Sequence, residues 1–185
     1  MNHPTVPFGR LRPGFARGLA GFMLACLTFF AQAASTVIDN KALSDEADGR
    51  NWPAYGRTFS EQRYSPLDQV NDKNINRLKL AWSLDLNTFG HSQSSPLAVD
   101  GVLYFAVGYA WVHAVDARTG KLLWKYDPKT TKVAPQKLKM GWGIRGIAFW
   151  NGRVYPGTTD GRLLAIDAKT GKLAWSVQTV PLDDV

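Results

Sequence analysis

The side chains that most often catalyse reactions or bind metals are few in this sequence, and their spacing forms no recognisable set. Apart from His3, the histidines are His91 and His113, and neither has a partner at a spacing that metal ligands adopt. The carboxylates show no pairing that would indicate a general acid with a general base. Spacing alone therefore predicts no catalytic residue and no metal site. His113 aligns with Leu164 in a repeat of the chain, which predicts an ordinary packing role.

The first 33 residues have the pattern of a cleaved export signal. A positively charged region with three arginines and no acid precedes an apolar run at residues 19–30, which is too short to span a bilayer comfortably. Ala31-Gln32-Ala33 then supplies the small-x-small pattern that a signal peptidase recognises. We predict cleavage after Ala33 and export. An N-terminal membrane anchor and a lipid-attachment site at Cys26 remain alternatives, the second a poor match.

Cleavage would also decide the cysteine content and the charge of the mature protein. Cys26 is the only cysteine, so the mature chain would have no thiol and no disulfide. The formal charge would fall from +7 to +4, because 19 of the 22 basic residues remain against 15 acidic ones. The remaining basic residues form no long run, so nucleic-acid binding is not supported.

An internal repeat dominates the rest of the chain and predicts its architecture. Residues 100–126 align without a gap with residues 151–177, and both copies contain Ala-x-Asp-Ala-x-Thr-Gly-Lys-Leu-x-Trp, ending at Trp124 and Trp175. A partial third copy, Lys79-Leu80-Ala81-Trp82-Ser83, precedes them. A repeat of this length with short apolar, β-branched runs is typical of a four-stranded propeller blade. We therefore predict an all-β fold made of β-propeller blades.

The repeat also predicts its turns. Hairpin signals, which need positive φ, occur at three places: Asp100-Gly101, Asn151-Gly152 and Asp160-Gly161. Thr119-Gly120 and Thr170-Gly171 predict a second turn, in which the preceding Asp116 or Asp167 accepts hydrogen bonds from turn N–H groups or from the threonine hydroxyl. The tryptophan that follows each of these glycines should lie flat in the seam between neighbouring blades, with its N–H bonded, rather than form a ligand platform.

The boundaries that we predict are as follows: signal peptide 1–33, short exposed leader 34–50, and partial propeller 51–185 with repeats near 93–126 and 145–178. Residues 71–78 predict a short helix capped by Asn71 or Asp72, with Ile75 and Leu78 facing inward. Residues 128–140 form a lysine-containing loop longer than a structural connection needs, which indicates a functional or mobile loop.

These motifs resemble one family. Ala-x-Asp-Ala-x-Thr-Gly-Lys-x-x-Trp is the blade signature of the pyrroloquinoline-quinone (PQQ) dehydrogenases. Trp52-Pro53-Ala54-Tyr55-Gly56-Arg57 and Gln62-Arg63-Tyr64-Ser65-Pro66-Leu67 are similar to the segment that opens the family's propeller. The resemblance implies an eight-bladed propeller that holds the quinone in a central funnel beside calcium or a similar ion. It also implies a carboxylate general base and hydride transfer from an alcohol-type substrate to the quinone.

Two cofactor-binding positions follow from the resemblance. In the family an arginine just before a glycine reaches the quinone, and Ile144-Arg145-Gly146 matches, so Arg145 is implied to bind PQQ. The alternative is a surface or structural arginine. A glutamate shortly before Thr-Pro also contacts the cofactor, and Gln93 stands there in Ser92-Gln93-Ser94-Ser95-Pro96. Its amide keeps a hydrogen-bonding group without the charge, and the alternative is a loop glutamine with no role.

One departure from the family concerns the quinone ring. Many alcohol-oxidising members have two adjacent cysteines whose disulfide lies against the ring, and Lys139 and Met140 occupy those positions here. Either Met140 or Trp142 supplies the packing surface, or quinone binding is altered or lost.

Two repeats and the end of a third are fewer than eight blades require, since eight blades need several hundred residues. The family's calcium ligands and catalytic acid lie in later blades. We therefore expect the N-terminal part of a periplasmic dehydrogenase that is inactive alone, with a cytochrome as a candidate electron acceptor and a partner chain as a candidate source of the missing blades. A non-catalytic exported module for protein contacts and a truncated remnant remain alternatives.

Overall fold

The computed structural model describes residues 35–86, 92–133 and 144–181. Each repeat is one four-stranded antiparallel sheet in which sequential strands are neighbours, so the predicted all-β blades are confirmed. The first sheet contains β1 (Leu97–Val99), β2 (Val102–Val107), β3 (Trp111–Asp116) and β4 (Leu122–Tyr126). The second contains β5 (Ala148–Trp150), β6 (Arg153–Tyr155), β7 (Arg162–Asp167) and β8 (Leu173–Gln178). The short helices are α1 (Asn40–Ser44) and α2 (Thr130–Val133), and within the three ranges no helix is long and apolar enough to cross a membrane.

The first hairpin of each sheet has the turn that its sequence predicts. Asp100 and Gly101 join β1 to β2 with φ values of 50° and 76°. Asn151 and Gly152 join β5 to β6 with φ values of 44° and 73°. Two consecutive positive φ values are those of a type I′ turn, whose twist matches the twist of the paired strands. Asp160-Gly161 also closes a hairpin, between β6 and β7, in which the Thr158 N–H donates to the Arg162 carbonyl oxygen at 2.8 Å and Gly157 forms a bridge with Leu163. Its loop has three residues, and Gly161, with a φ of 79°, is the one in the left-handed region, so it differs from the two-residue turns.

The predicted Thr-Gly turns lie between the third and fourth strands of both sheets. Asp116 Oδ1 accepts hydrogen bonds from the backbone N–H and the hydroxyl of Thr119, each at 2.8 Å. Asp167 Oδ1 accepts the same two bonds from Thr170, each at 2.7 Å. The threonine hydroxyl and the turn N–H favour the ionised carboxylate, and they lower the pKa of both aspartates. Each turn is therefore closed by a charged acceptor.

Trp124 lies in the seam between the two repeats, as predicted, whereas Trp175 is exposed and lies against no further blade among the described residues. Trp124 Nε1 donates to the carbonyl oxygen of Ala168 at 2.8 Å, and its indole covers Gly171 so closely that a Cβ there would lie 2.7 Å from the ring. Trp82 makes the same contact with the first sheet, where its Nε1 donates to the carbonyl oxygen of Ala117 at 3.0 Å. The turn glycine therefore allows the positive φ of the turn and, because it has no side chain, also allows the indole to pack directly on the backbone.

The hydrophobic core fills the space between the two sheets. The Tyr104 ring packs on Phe149 of the second sheet with a centroid distance of 5.3 Å, and its hydroxyl donates to the carbonyl oxygen of Ala168 at 3.3 Å. Burial of the phenol raises the pKa of Tyr104 to about 12. Small and β-branched side chains complete the core: Ala106, Val112, Ala114, Val154 and Ile166. The two repeats are therefore packed together as neighbouring blades.

Residues 35–50 are not an exposed leader along their whole length. Ile38 and Leu43 are buried in the core, with 1% and 7% of their surface exposed. The carbonyl oxygen of Ile38 accepts a hydrogen bond from the backbone of Asn151 at 2.9 Å, and the backbone N–H of Thr36 donates to the carboxylate of Asp100 at 2.7 Å. The expectation was wrong because this segment packs against the type I′ turns of both blades.

The segment that follows is fixed to the first blade by backbone and side-chain contacts. Trp52 and Ala98 exchange two backbone hydrogen bonds, of 2.7 and 2.9 Å. The guanidinium of Arg57 is buried and pairs with the carboxylate of Glu46 at 2.8 Å, while it also donates to the Glu46 carbonyl oxygen at 2.9 Å. The N-terminal segment is thus part of the folded unit.

The helix expected at residues 71–78 is a single 3₁₀ turn, Ile75–Arg77. Ile75 and Leu78 are exposed among the described residues, so the expectation that they face inward is wrong there. A helix of this length has little stability of its own and depends on packing, which these side chains do not receive from the described residues.

Candidate functional site

The segments that carry the predicted cofactor-binding residues lie on the same edge of the two blades. Neighbouring strands of the first sheet run in opposite directions. The chain therefore reaches the same side of the sheet before β1, between β2 and β3, and after β4, where the strands begin or end. The same argument holds for the second sheet. We call this side, which comprises residues 92–96, 108–110, 127–133, 144–147 and 156–161, the upper edge. The type I′ and Thr-Gly turns lie on the opposite, lower edge.

Arg145 and Gln93 belong to neighbouring segments of the upper edge. The backbone N–H of Ser95 donates to the carbonyl oxygen of Arg145 at 3.3 Å, which joins the segment leading into β1 to the segment leading into β5. Both predicted side chains are exposed. None of the ion pairs among the described residues involves Arg145. The structure therefore brings the two predicted segments together and leaves the side chains accessible to a ligand.

The chemistry of these two groups fits an anionic, carbonyl-rich ligand such as the expected quinone. The guanidinium of Arg145 can donate two parallel hydrogen bonds to a carboxylate or to adjacent oxygens. The amide of Gln93 can donate to a carbonyl oxygen and accept from a ring N–H. One cation and one amide supply part of a binding site, so further contacts must come from elsewhere.

A metal site is not formed by the described residues. Within residues 35–86, 92–133 and 144–181, no group of three or more His, Cys, Asp or Glu side chains is placed to hold an ion. These residues therefore offer no ligand set for the calcium that the family resemblance implies, and no chemical step is assigned to an ion here.

Several sequence predictions concern residues outside the described ranges. His91 lies there, as do Lys139, Met140 and Trp142, which bear on the packing against a quinone ring. The predicted signal with Cys26 also lies outside them. These predictions stay predictions.

His113 has the packing role that the repeat predicts. It is 2% exposed on β3, and its ring stacks on Phe105 with a centroid distance of 5.4 Å and an interplanar angle of 4°. Its Nδ1 lies 3.3 Å from the carbonyl oxygen of Trp111, to which it donates. Burial is the main cause that lowers the pKa of His113, and the nearby positive charge of Lys125 adds to it.

The sequence reasoning missed one charged cluster on the upper edge. Asp160 is fully buried and its carboxylate pairs with the guanidinium of Arg162, with the shortest N–O distance 2.6 Å. Arg162 also donates to the carbonyl oxygen of Pro128 at 2.7 Å, across 34 positions of sequence. A comparison of the repeats could have shown it, because the aligned residues of the first repeat are the aromatic Tyr109 and Trp111.

Comparison with known proteins gives consistent matches. Residues 52–177 match the family described as glucose/ethanol/alcohol dehydrogenase, beta-propeller domain. The dehydrogenase subunit of an alcohol dehydrogenase (quinone) from Komagataeibacter europaeus is 47% identical over 183 residues, which is 96% of this chain and 25% of the relative. The chain thus spans about a quarter of the length of the curated relatives it matches.

Solved structures agree with this match in fold. The quinohemoprotein alcohol dehydrogenase of Comamonas testosteroni superposes with a TM-score of 0.69 at 39% identity, over 77% of this chain and 21% of that protein. A europium-containing methanol dehydrogenase superposes with a TM-score of 0.66 at 29% identity, over 77% of this chain and 25% of that protein.

Proposed function

This chain belongs to the glucose/ethanol/alcohol dehydrogenase family with a PQQ-type β-propeller domain, and from this premise we propose that it forms the N-terminal part of a quinone-dependent alcohol dehydrogenase. Its part in that enzyme is to supply one side of the PQQ site from the upper edge of its two blades. The chain spans about a quarter of the length of its relatives, and this proposal assigns the catalytic acid, the calcium ligands and the remaining cofactor contacts to further blades of the propeller. The two blades alone are inactive in this proposal.

The backbone hydrogen bond between Ser95 and Arg145 is the observation that carries the proposal. It joins the two segments that carry Arg145 and Gln93, and this supports a site in which both side chains contact one ligand. When bound, PQQ would supply the acceptor for a hydride from an alcohol-type substrate. Arg145 would hold the cofactor's anionic oxygens and stabilise negative charge there, and Gln93 would orient a neighbouring polar group.

The names of relatives support a class of substrate and of electron acceptor. The relative from Komagataeibacter europaeus is named an alcohol dehydrogenase, and one at 37% identity is named 1-butanol dehydrogenase (cytochrome c). We propose an alcohol-type substrate and a cytochrome as the electron acceptor of the complete enzyme. A partner chain carrying the remaining blades is one way in which this enzyme could be completed.

Export to the periplasm is also part of the proposal. The arginines and the apolar run before Ala31-Gln32-Ala33 support a signal peptide.

A second candidate function is a non-catalytic module for protein contacts. All residues of β8 are exposed, including Leu173, Trp175 and Val177, and an apolar surface of this kind is typical of a protein interface. This candidate would retain the fold without binding the quinone.

Calorimetric titration with PQQ, in the presence and absence of Ca²⁺, tests the proposal. We expect saturable binding to the folded chain, weakened about 10- to 100-fold in Arg145→Ala, because hydrogen bonds to a charged group contribute about 1.5–3 kcal/mol. Gln93→Ala should weaken binding by a smaller factor, since a neutral hydrogen bond contributes about 1 kcal/mol.

Arg118→Ala is the matched control, because Arg118 is an exposed arginine at the Thr-Gly turn of the lower edge. It should leave PQQ affinity unchanged. A folded wild-type chain that binds no PQQ would contradict the proposed cofactor site and favour the protein-contact module. Equal weakening in Arg145→Ala and Arg118→Ala would reduce the interaction to a general attraction between charges.

A further inference from the structure

The Thr-Gly turn of the first blade is covered by an indole from a segment that precedes both repeats. Trp82 Nε1 donates to the carbonyl oxygen of Ala117 at 3.0 Å, and a Cβ at Gly120 would lie 2.5 Å from the Trp82 ring. Trp124 covers Gly171 of the second blade in the same way, with 2.7 Å between a Cβ there and the ring. The two turns are therefore occupied by equivalent indoles.

Residues 79–83, which we call the Trp82 segment, are attached to the first blade mainly through this indole. Trp124 lies on β4, which is hydrogen-bonded to β3. The Trp82 segment forms no strand, and within the described residues it makes no backbone hydrogen bond. Leu80 is 84% exposed. The segment can therefore leave the turn without breaking the hydrogen bonds of a sheet.

Strand β8 carries the same five residues as the Trp82 segment. Lys172-Leu173-Ala174-Trp175-Ser176 repeats its sequence without a change. Trp175 is 40% exposed, and in the described part of the chain it covers no Thr-Gly turn. One molecule thus contains a turn that accepts this indole and, on a strand that is already formed, a second copy of the sequence that supplies it.

We propose that the Trp82 segment is an internal competitor, which occupies the Thr-Gly turn of the first blade and thereby prevents β8 of a second copy of this chain from docking there. The contact that it prevents already exists inside the molecule, because β4 packs on the second blade through the same type of residue and the same type of turn. Without the competitor, two complementary surfaces on one molecule would let copy add to copy in an open series. The inference does not depend on the binding of the quinone.

Tethering gives the Trp82 segment an advantage over a second copy. A segment of the same chain competes at an effective concentration on the order of millimolar, so separate molecules at about micromolar concentration compete less well. The affinity of one copy for another falls in proportion to the fraction of turns that are free. A competitor that leaves about one turn in ten free therefore weakens self-association about tenfold.

Trp82→Ala tests the inference, with self-association measured by sedimentation velocity over a range of protein concentrations. We expect self-association about tenfold tighter than in the wild type, because the turn becomes free. Adding Trp175→Ala should return the protein to wild-type behaviour. Trp150→Ala is the matched control for this second substitution, since Trp150 is 37% exposed, similar to Trp175, but lies on β5 rather than on the last strand of a blade. The Trp82→Ala/Trp150→Ala chain should associate like Trp82→Ala.

Unchanged self-association in a folded Trp82→Ala chain would overturn the inference. An increase that Trp175→Ala and Trp150→Ala remove equally, or that neither removes, would also overturn it, since the increase would then reflect general exposure of apolar surface. If Trp82→Ala does not fold, Trp82→Phe decides. It keeps a ring over Gly120 and loses the hydrogen bond to Ala117, so we expect self-association about fivefold tighter, and the same two second substitutions apply.

Discussion

His113 shows how one substitution changes the chemistry of a strand without changing its fold. Its counterpart in the second repeat is Leu164, and both side chains are buried at the same position of their sheets. The imidazole stacks on Phe105, and Lys125 is its direct neighbour on β4. Burial and this neighbouring cation both disfavour the protonated ring. The stability that this buried side chain contributes therefore depends on pH.

We predict that His113→Leu makes the chain less sensitive to mild acid. The pKa of His113 is lowered in the folded state, so the unfolded chain binds the proton more readily below its ordinary pKa of 6.5. The wild type should therefore lose stability as the pH falls through this value, and the leucine variant should lose less. Urea unfolding at about pH 7.5 and about pH 5.5 measures both losses. Equal losses in the two proteins would contradict the prediction.

The Thr-Gly turn is the element of each repeat on which the tryptophan of the preceding repeat packs. Gly171 adopts a φ of 70°, and Trp124 of the preceding blade covers its Cα face. Gly152 in the type I′ turn has a similar φ of 73°, but a Cβ there would meet no atom within 4 Å. Both glycines thus adopt a positive φ, but only Gly171 is covered by a tryptophan ring.

We predict that Gly171→Ala is more destabilising than Gly152→Ala. Both variants should lose about 1–2 kcal/mol because alanine is strained at positive φ. Gly171→Ala should lose about 1–3 kcal/mol more, because the new methyl group displaces the indole from its seat. Urea unfolding gives the free energies, and tryptophan fluorescence should report displacement in Gly171→Ala alone. Equal destabilisation would mean that the packing of Trp124 does not require the absence of a side chain at Gly171.

The turns and seams were predictable because they repeat along the chain and depend on local backbone rules. The positive φ of Asp100-Gly101 and the bonds of Asp116 follow from residues within a few positions of each other. The ion pair of Asp160 and Arg162 was not predicted, because its further contact is with the carbonyl oxygen of Pro128, 34 positions away in the sequence. The assignment of Arg145 and Gln93 to one cofactor site came from family resemblance, and the spacing of the residues did not indicate it.

At the scale of the whole molecule, the two repeats differ most in what covers their last strand. Trp124 packs on Tyr104 and on the next turn, whereas Trp175, at the aligned position, is 40% exposed and contacts Tyr155 at a centroid distance of 5.9 Å. Trp175 and Val177 of β8 are thus more exposed than the aligned Trp124 and Tyr126, whereas Leu173 and the aligned Leu122 are exposed to a similar degree.

We predict that Trp124→Ala costs about 3–5 kcal/mol of unfolding free energy, as expected for an aromatic residue in a packed seam. Trp175→Ala should cost only about 1 kcal/mol, because its ring packs on fewer neighbours. Trp175→Ala should also reduce self-association of the purified chain, since it removes apolar surface. Urea unfolding and sedimentation velocity measure these effects. Similar free energies for both variants would contradict the seam described for Trp124.

The packing of the indole on a glycine turn also limits which assemblies the blades can form. Each blade contributes an indole from one face and a Thr-Gly turn from the other, so the contact is heterologous and has a direction. A two-fold dimer pairs like with like and leaves both halves of such a contact unmatched. Head-to-tail addition satisfies them one after another, and it forms a closed ring where the rotation between neighbouring blades allows closure. The geometry of a single seam therefore favours head-to-tail arrangements of blades over two-fold symmetric pairs.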